Sequence, residues 1–304
     1  VDLTIQRGQT LGLVGESGCG KTTLGRLLVH LDTPDAGEVR FEGQTIASLG
    51  LGAVQLLRQR IQMVFQNPYS SLNPRQSIGD TLMEPLEIHG IGTAAGRRQR
   101  ALQTLDRVGI RTEHFNRFPH QFSGGQRQRI GIARALALEP ALIVCDEPVS
   151  ALDVSIQSQV LNLLADLQDQ LGLSYLFISH DLRVVEHISD RVAVMYLGRI
   201  VEEAPVTEIF ENPRHPYTQA LLDSVPVPDP SRIQEQTPLE GGVPDPSSPP
   251  SGCSFHPRCP MAVEQCRQSM PPLETIGDGH RVRCWLRSAA PIAIPAGAAE
   301  APTV

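Results

Sequence analysis

The sequence predicts an α/β fold built around a parallel sheet. Two observations carry that expectation. Short apolar runs alternate with stretches of helical spacing, the pattern of strands joined by crossover helices. In addition, GESGCGKT (15–22) fits G-x-x-x-x-G-K-[ST] and stands between such a strand and such a helix, where a phosphate-binding loop belongs.

Taken in order, LGLVGE (11–16) reads as a buried strand and KTTLGRLLVHL (21–31) as a helix. GEVRFEGQTI (37–46) alternates like a hairpin segment, and IQMVFQ (61–66) reads as another strand. Residues 77–118 are more polar and mostly helical, and their RRQR (97–100) reads as a solvated helix face before a nucleic-acid contact. SGGQRQRIGIARALAL (123–138) is a helix capped by Ser123. ALIVCDE (141–147) is a buried strand ending in acids, and 155–171 is an amphipathic helix. SYLFISH (174–180) and RVAVMYLGRIVE (191–202) are strands around a short helix. Beyond about residue 205, prolines recur in VPVPDP, VPDPSSPP and MPP, which predicts irregular chain with little helix. The final SAAPIAIPAGAAEAPTV has no periodicity and is expected to be disordered.

Size and composition bound the function. A chain of 304 residues can hold one large core and a second small domain. Its net charge of −7 argues against coating nucleic acid by charge. The longest apolar runs, such as ALIVC, are too short to span a bilayer. No basic-then-apolar signal segment opens the chain. The expectation is a cytosolic protein, in which clustered cysteines point to metal before disulfide.

The chemistry starts at the loop. Gly15, Gly18 and Gly20 let backbone N–H groups curl around phosphate oxygens, and the following helix adds positive potential. Ser17, Cys19 and Thr23 complete the loop and its flank, with Cys19 in a variable position. Lys21 is expected to reach the β- and γ-phosphates of ATP, and Thr22 to bind Mg²⁺. Asp146 would hold Mg²⁺ through water, and Glu147 is placed to polarise an attacking water. FSGGQRQR (122–129) offers a second anion cradle at a helix start, from Ser123, Gly124, Gly125 and Gln126. One nucleotide does not need two cradles from one domain, so this one is expected to close over a neighbour's ATP.

With these motifs in order, the chain resembles the ATP-binding-cassette (ABC) family: the loop at 15–22, Gln66 after a strand, FSGGQ, the acidic strand 141–147, SALD (150–153) and His180. The resemblance implies a P-loop cassette with a parallel sheet core, an antiparallel edge subdomain and a helical subdomain at about 77–135. It implies that Gln66 contacts Mg²⁺ and senses a membrane partner, and that Ser123, Gly124 and Gly125 bind a γ-phosphate in trans. Asp153 would help to join the two sites, and His180 would hold the γ-phosphate and water. CDEPVSALDVSIQSQVLNLL, YLFISHDLRVVEHISDRVAVMYLGRIVE and NPRHPYTQALL are similar to the ATPase subunits of oligopeptide and dipeptide importers, the type with an SGGQRQR signature. That resemblance implies a sister cassette in a hetero- or homodimer, two permease subunits, an extracytoplasmic solute-binding protein and the cytoplasmic face of the membrane. Nucleic acid is not among the expected partners. Importers of nickel, glutathione or other solutes in the same branch fit the motifs as well.

The domain reading follows: a cassette over 1–205, an importer-type extension over 206–287 and a disordered tail over 288–304. The extension carries Cys253, Cys259, Cys266 and Cys284, spaced C-x5-C-x6-C-x17-C. Four thiolates can hold a [4Fe–4S] cluster or zinc, and free or disulfide-bonded thiols are the remaining reading. The irregular spacing and the resemblance favour the cluster, and a metal would supply folding energy to a proline-rich domain. His256 and His280 are nearby alternative ligands, expected to be structural, and Cys145 is expected to be packed apolar surface. At the front the chain departs from the family. Only fourteen residues precede Gly15, none of them aromatic, so the ring that stacks on adenine is absent. The expectation is an N-terminally truncated chain with weakened adenine binding.

Three rival classes fit the sequence less well. A soluble cassette ATPase of chromosome or DNA-repair machinery needs a long coiled coil between loop and signature, and the roughly one hundred residues there carry no sustained heptads. A ribosome-associated cassette protein would carry two cassettes and a denser cysteine pattern. A metal-binding redox sensor would make the cassette secondary.

Overall fold

Thr10–Val14 (β1), Ile61–Val64 (β4), Leu142–Asp146 (β5) and Ser174–Ile178 (β6) form a parallel sheet in the order β4–β5–β6–β1. The computed structural model describes residues 1–46, 50–67, 71–224, 241–277 and 279–287. All of β1, β5 and β6 is buried, which is why these strands read as unbroken apolar runs and not as alternating ones. The chain divides into two compact units, one spanning Leu3–Asp190 and the other formed by Arg191 onward with the first two residues.

In the first unit, Lys21–Leu28 (α1) packs on β5 and β6, and Leu182–Ile188 (α7) packs on β1. The second approach is close. A Cβ on Gly12 would meet Cγ1 of Val185 at 2.5 Å and Oγ of Ser189 at 2.6 Å, so the middle of β1 has no room for a side chain. The expected hairpin is Arg40–Phe41 (β2) with Gln44–Thr45 (β3), turned through Glu42 and Gly43, both at positive φ. The sequence reading missed Leu51–Arg60 (α2), whose exposed Leu56 blurs its apolar face.

The helical stretch resolves into Ile78–Ile88 (α3) and Ala94–Arg107 (α4), capped by the hydroxyls of Ser77 and Thr93. The arginines of RRQR have local partners. Arg97 reaches Glu87 and the carbonyl of Ile91, Arg98 lies over the Phe115 ring at 4.3 Å, and Arg100 pairs with Glu139. Gly124–Leu136 (α5) opens at Ser123, and Val154–Leu171 (α6) follows SALD.

The second unit corrects two expectations. RVAVMYLGRIVE is not one strand but the hairpin Arg191–Tyr196 (β7) and Arg199–Pro205 (β8), turned through Leu197 and Gly198 at positive φ. A leucine in the left-handed region hides such a turn from sequence. The proline-rich region also holds more regular structure than expected: Val206–Glu211 (α8), Pro216–Asp223 (α9), Glu264–Gln268 (α10), and a hairpin of Glu274–Gly277 (β9) and His280–Val282 (β10) paired to β8. Proline limits helix interiors, and here Pro216 stands at a helix start, where it is tolerated. The VPVPDP stretch and the tail expected to be disordered lie outside the described residues.

Phe255 anchors this unit. It is fully buried among Tyr196, Tyr217 and His215, with ring centroids 5.3, 5.4 and 5.6 Å away. Beside it Glu202 is wholly buried and accepts from the amides of Arg214 (2.6 Å) and His215 (2.9 Å) and from Nε2 of His280 (2.7 Å). Burial alone would raise the Glu202 pKa, but these hydrogen bonds, led by that of His280, outweigh it and hold the carboxyl below its ordinary value.

Candidate nucleotide site and signature helix

The loop 15–20 folds as its glycines require. Gly18 (φ 80°) and Gly20 (φ 104°) occupy left-handed backbone that other residues enter at a cost. Gly20 caps α1 without any side-chain acceptor, so the first amides of that helix are open to an anion. Lys21 is buried and donates from Nζ to the carbonyls of Gly15 (2.7 Å) and Glu16 (3.0 Å). Cys19 is buried beneath the loop, with Sγ 3.8 Å from Nζ of Lys21, and burial pushes its thiol up.

Three side chains converge from the carboxyl ends of the neighbouring strands β4, β5 and β6, where parallel sheets place their ligands. Gln66 donates from Nε2 to Oε2 of Glu147 at 2.8 Å, and Nδ1 of His180 lies 3.2 Å from the same oxygen. Glu147 holds φ 46°, left-handed for a residue with a side chain, and its amide donates to the carbonyl of Ile178 at 2.9 Å. Strain of this kind gathers at functional sites. The hydroxyl of Thr22 donates to Oδ1 of Asp146 at 3.1 Å. Burial raises the Asp146 pKa, against the lowering effect of that hydrogen bond.

Ser17, Gly18, Gly20, Lys21, Thr22, Thr23, Gln66, Glu147 and His180 thus line one open cleft of about 520 Å³. Gly15 serves it as the acceptor for Lys21, whereas Cys19 does not line it. The Thr22 hydroxyl, the Asp146 carboxylate and the Gln66 amide form a hard-oxygen donor set that fits Mg²⁺, which keeps several waters of its own.

The signature residues stand apart from this lining. Ser123 caps α5: its Oγ accepts from the Gln126 amide (3.3 Å), and Oε1 of Gln126 accepts from the Ser123 amide (3.0 Å). The amides of Gly124 and Gly125 begin the helix without intrahelical partners. Asp153 is exposed at the start of α6 and makes no capping bond.

A metal is the sequence expectation at Cys253, Cys259, Cys266 and Cys284. Among the described residues, no three Cys, His, Asp or Glu side chains are placed to hold a metal ion. The thiols belong to one small unit, and the Cys253 amide donates to the Cys266 carbonyl at 2.8 Å. They feel one another, since burial first and neighbouring cysteines second push Cys253 up and Cys259 up to about 11. Cys266 lies in α10 and Cys284 two residues beyond β10. His256 is turned to the Cys253 carbonyl and His280 to Glu202. Cys145 is wholly buried in β5, and burial pushes its thiol up.

Sheet order, loop and acidic strand end define a P-loop nucleotide hydrolase. Residues 1–150 match the ABC transporter family model, and residues 201–266 match the oligopeptide/dipeptide transporter C-terminal region. The chain is 56% identical over 290 residues to a probable peptide ABC transporter ATP-binding protein of Sinorhizobium fredii, covering 95% of this chain and 82% of that one. It is 54% identical over 285 residues to the dipeptide transport ATP-binding protein DppF of Escherichia coli, covering 94% and 85%. Among solved structures, the post-hydrolysis dimer of the cassette MJ0796 bound to ADP and Pi superposes with a TM-score of 0.61 at 31% identity, over 68% of this chain and 89% of that one. The CbiO1 cassette of Clostridium perfringens gives 0.63 at 29%, over 70% and 83%. The chain belongs to the ATP-binding proteins of the ABC transporter family, in the branch carrying the oligopeptide/dipeptide transporter C-terminal region, and its activity is that of an ATPase. Among the described residues no helix is long and apolar enough to cross a membrane.

Proposed function

We propose that this chain hydrolyses ATP to power an importer of oligopeptides or dipeptides. The observation that carries the reading is the cleft in which the open N-terminus of α1 faces Asp146, Glu147, Gln66 and His180. The C-terminal region and the relatives named for peptide transport support the substrate class.

The chain's residues divide the work by position. The loop amides and Lys21 bind the β- and γ-phosphates, with Lys21 leaving the carbonyls of Gly15 and Glu16 to do so. Thr22, Asp146 and Gln66 hold Mg²⁺, which neutralises phosphate charge when bound. Glu147 orients the attacking water once Gln66 and His180 release its carboxylate, His180 turning to the γ-phosphate; Gln66 would be free to help hold Mg²⁺. Ser123, Gly124 and Gly125, with Gln126 fixing their turn, bind the γ-phosphate of a partner cassette, and Asp153 reaches across the same interface. Membrane permease subunits receive the motion through Gln66 and the helical region, which places the chain on the cytoplasmic face of the membrane. A sister cassette and an extracytoplasmic binding protein complete the assembly.

Co-purification tests this. Permease subunits and a peptide on the binding protein are expected, whereas ribosomes, DNA or a nickel or glutathione ligand would overturn the reading. The four cysteines carry a narrower proposal, a [4Fe–4S] cluster or zinc, supported by the proximity of the thiols in one unit and by their spacing. Their present arrangement would have to close around it. Iron and zinc analysis of anaerobically purified protein decides, with about four irons per chain expected for the cluster and absence of both metals ending the proposal.

A further inference from the structure

Between Glu147 and the signature helix runs a segment to which the proposed mechanism gives no task beyond Asp153. Gln157, in the first turn of α6, donates from Nε2 to the carbonyls of Val149 (3.1 Å) and Leu152 (3.0 Å). The turn it clasps is closed on the Glu147 carbonyl by Oγ of Ser150 at 3.1 Å and by the Ser150 amide at 3.3 Å. One residue before Gln157, half-buried Ile156 lies against the signature. A Cβ on Gly125 would collide with Cγ2 of Ile156, and one on Gly124 would stand 3.5 Å from Cδ2 of Leu152. Gly125 lies in a helix and is not among the positive-φ glycines, so its glycine supplies room and not backbone freedom.

We propose that Ile156 and Gln157 are positioning residues that form a strut between the two catalytic elements of one chain. Ile156 seats the start of α5, whose first amides aim at the partner's γ-phosphate. Gln157 fixes the turn from Glu147 to Asp153. The strut therefore sets the cradle that serves the partner's ATP in register with the carboxylate that serves the chain's own. Packed interiors transmit such contacts because they have no slack to absorb them. The proposal rests on the signature acting in trans.

The test is steady-state ATP hydrolysis by the purified assembly, with ATP affinity of the chain measured alongside. Ile156→Ala is expected to lower kcat about tenfold while ATP affinity moves less than about twofold, because only the aim of the cradle is lost. Ile156→Val keeps Cγ2 and should keep the rate. Gly125→Ala should lose most activity through the clash, and Gly125→Ala/Ile156→Ala should recover at least about fivefold over Gly125→Ala, the new methyl replacing the deleted one. Gln157→Leu should lower kcat by about threefold to tenfold for the two lost hydrogen bonds. An unchanged kcat in Ile156→Ala, an equal loss of ATP affinity, or a double variant no better than Gly125→Ala would overturn the strut. Ser123→Ala tells failure of the trans signature from failure of the strut. If it leaves turnover untouched, the trans reading fails and the strut with it. If it cuts turnover while Ile156→Ala does not, the strut alone fails.

Discussion

At the nucleotide cleft the Glu147 side chain is 19% exposed and His180 60%, and the two meet at 3.2 Å. In the C-terminal unit the Glu202 side chain is wholly buried and His280 is 5% exposed, and they meet at 2.7 Å. The same residue types form both pairs. Solvent screens the first, so it is worth little and can exchange partners cheaply. The second has lost its hydration, so each member depends on the other to stay buried. The role proposed for Glu147 needs the first arrangement, because in it Glu147 releases Gln66 and His180 when phosphate arrives. A carboxylate buried where a hairpin meets its sheet needs the second.

The contrast can be broken from either end. The largest effect is expected at the cleft. Glu147→Gln should keep ATP binding and lower turnover by about 10²–10⁴-fold, because binding does not use the carboxylate and proton transfer does. Lys21→Ala should instead weaken binding itself. Near-normal hydrolysis by Glu147→Gln, with any partner site silenced, would remove Glu147 from its role.

Next in size is Glu202→Ala, which leaves His280 and two amides unpaired in the interior. It should destabilise the C-terminal unit by about 3–5 kcal/mol, read by denaturant unfolding. Glu147→Ala, which breaks the exposed pair, should cost the first unit about 0–1 kcal/mol. Equal costs for the two would dissolve the comparison.

A smaller effect concerns pH. His215 is wholly buried, and burial pushes its pKa down from 6.5 to about 4. The unfolded histidine takes up a proton near pH 6.5 and the folded one only near 4, so the unfolded state binds more protons in between. Stability of the unit should therefore fall as pH drops across that window. Glu202 adds to the loss lower down, as pH falls through its depressed pKa. Nδ1 of His215 accepts from the Tyr217 amide at 3.1 Å, so His215→Asn can keep the cap and should flatten the pH dependence of thermal unfolding. An unchanged slope would show that His215 is not the sensor.

The same contrast explains what the sequence made legible. The places of Lys21, Thr22, Asp146 and Glu147 in the cleft were readable because each is set by local backbone, a loop of glycines or a strand end, and local backbone is written in contiguous residues. That Gln66 and His180 belong with them came from the resemblance to the ABC family, because a lone glutamine or histidine after a strand announces no site by itself. Nothing local announces the clasp of Gln157 on two carbonyls, the seat that Ile156 gives Gly125, or the burial of Glu202 against a histidine 78 positions away. The turn at Leu197 and Gly198 was hidden because its first residue is not a turn former. For the cysteines, spacing announced proximity, which the thiols show, but not ligand geometry, which they do not.

The most direct measurement of the central claim is ATP hydrolysis by the assembly reconstituted in vesicles with its binding protein, with and without peptide. Peptide is expected to raise turnover and to accumulate on the far side, and Glu147→Gln to stop both while ATP still binds. Hydrolysis indifferent to peptide but raised by a different solute would contradict that claim.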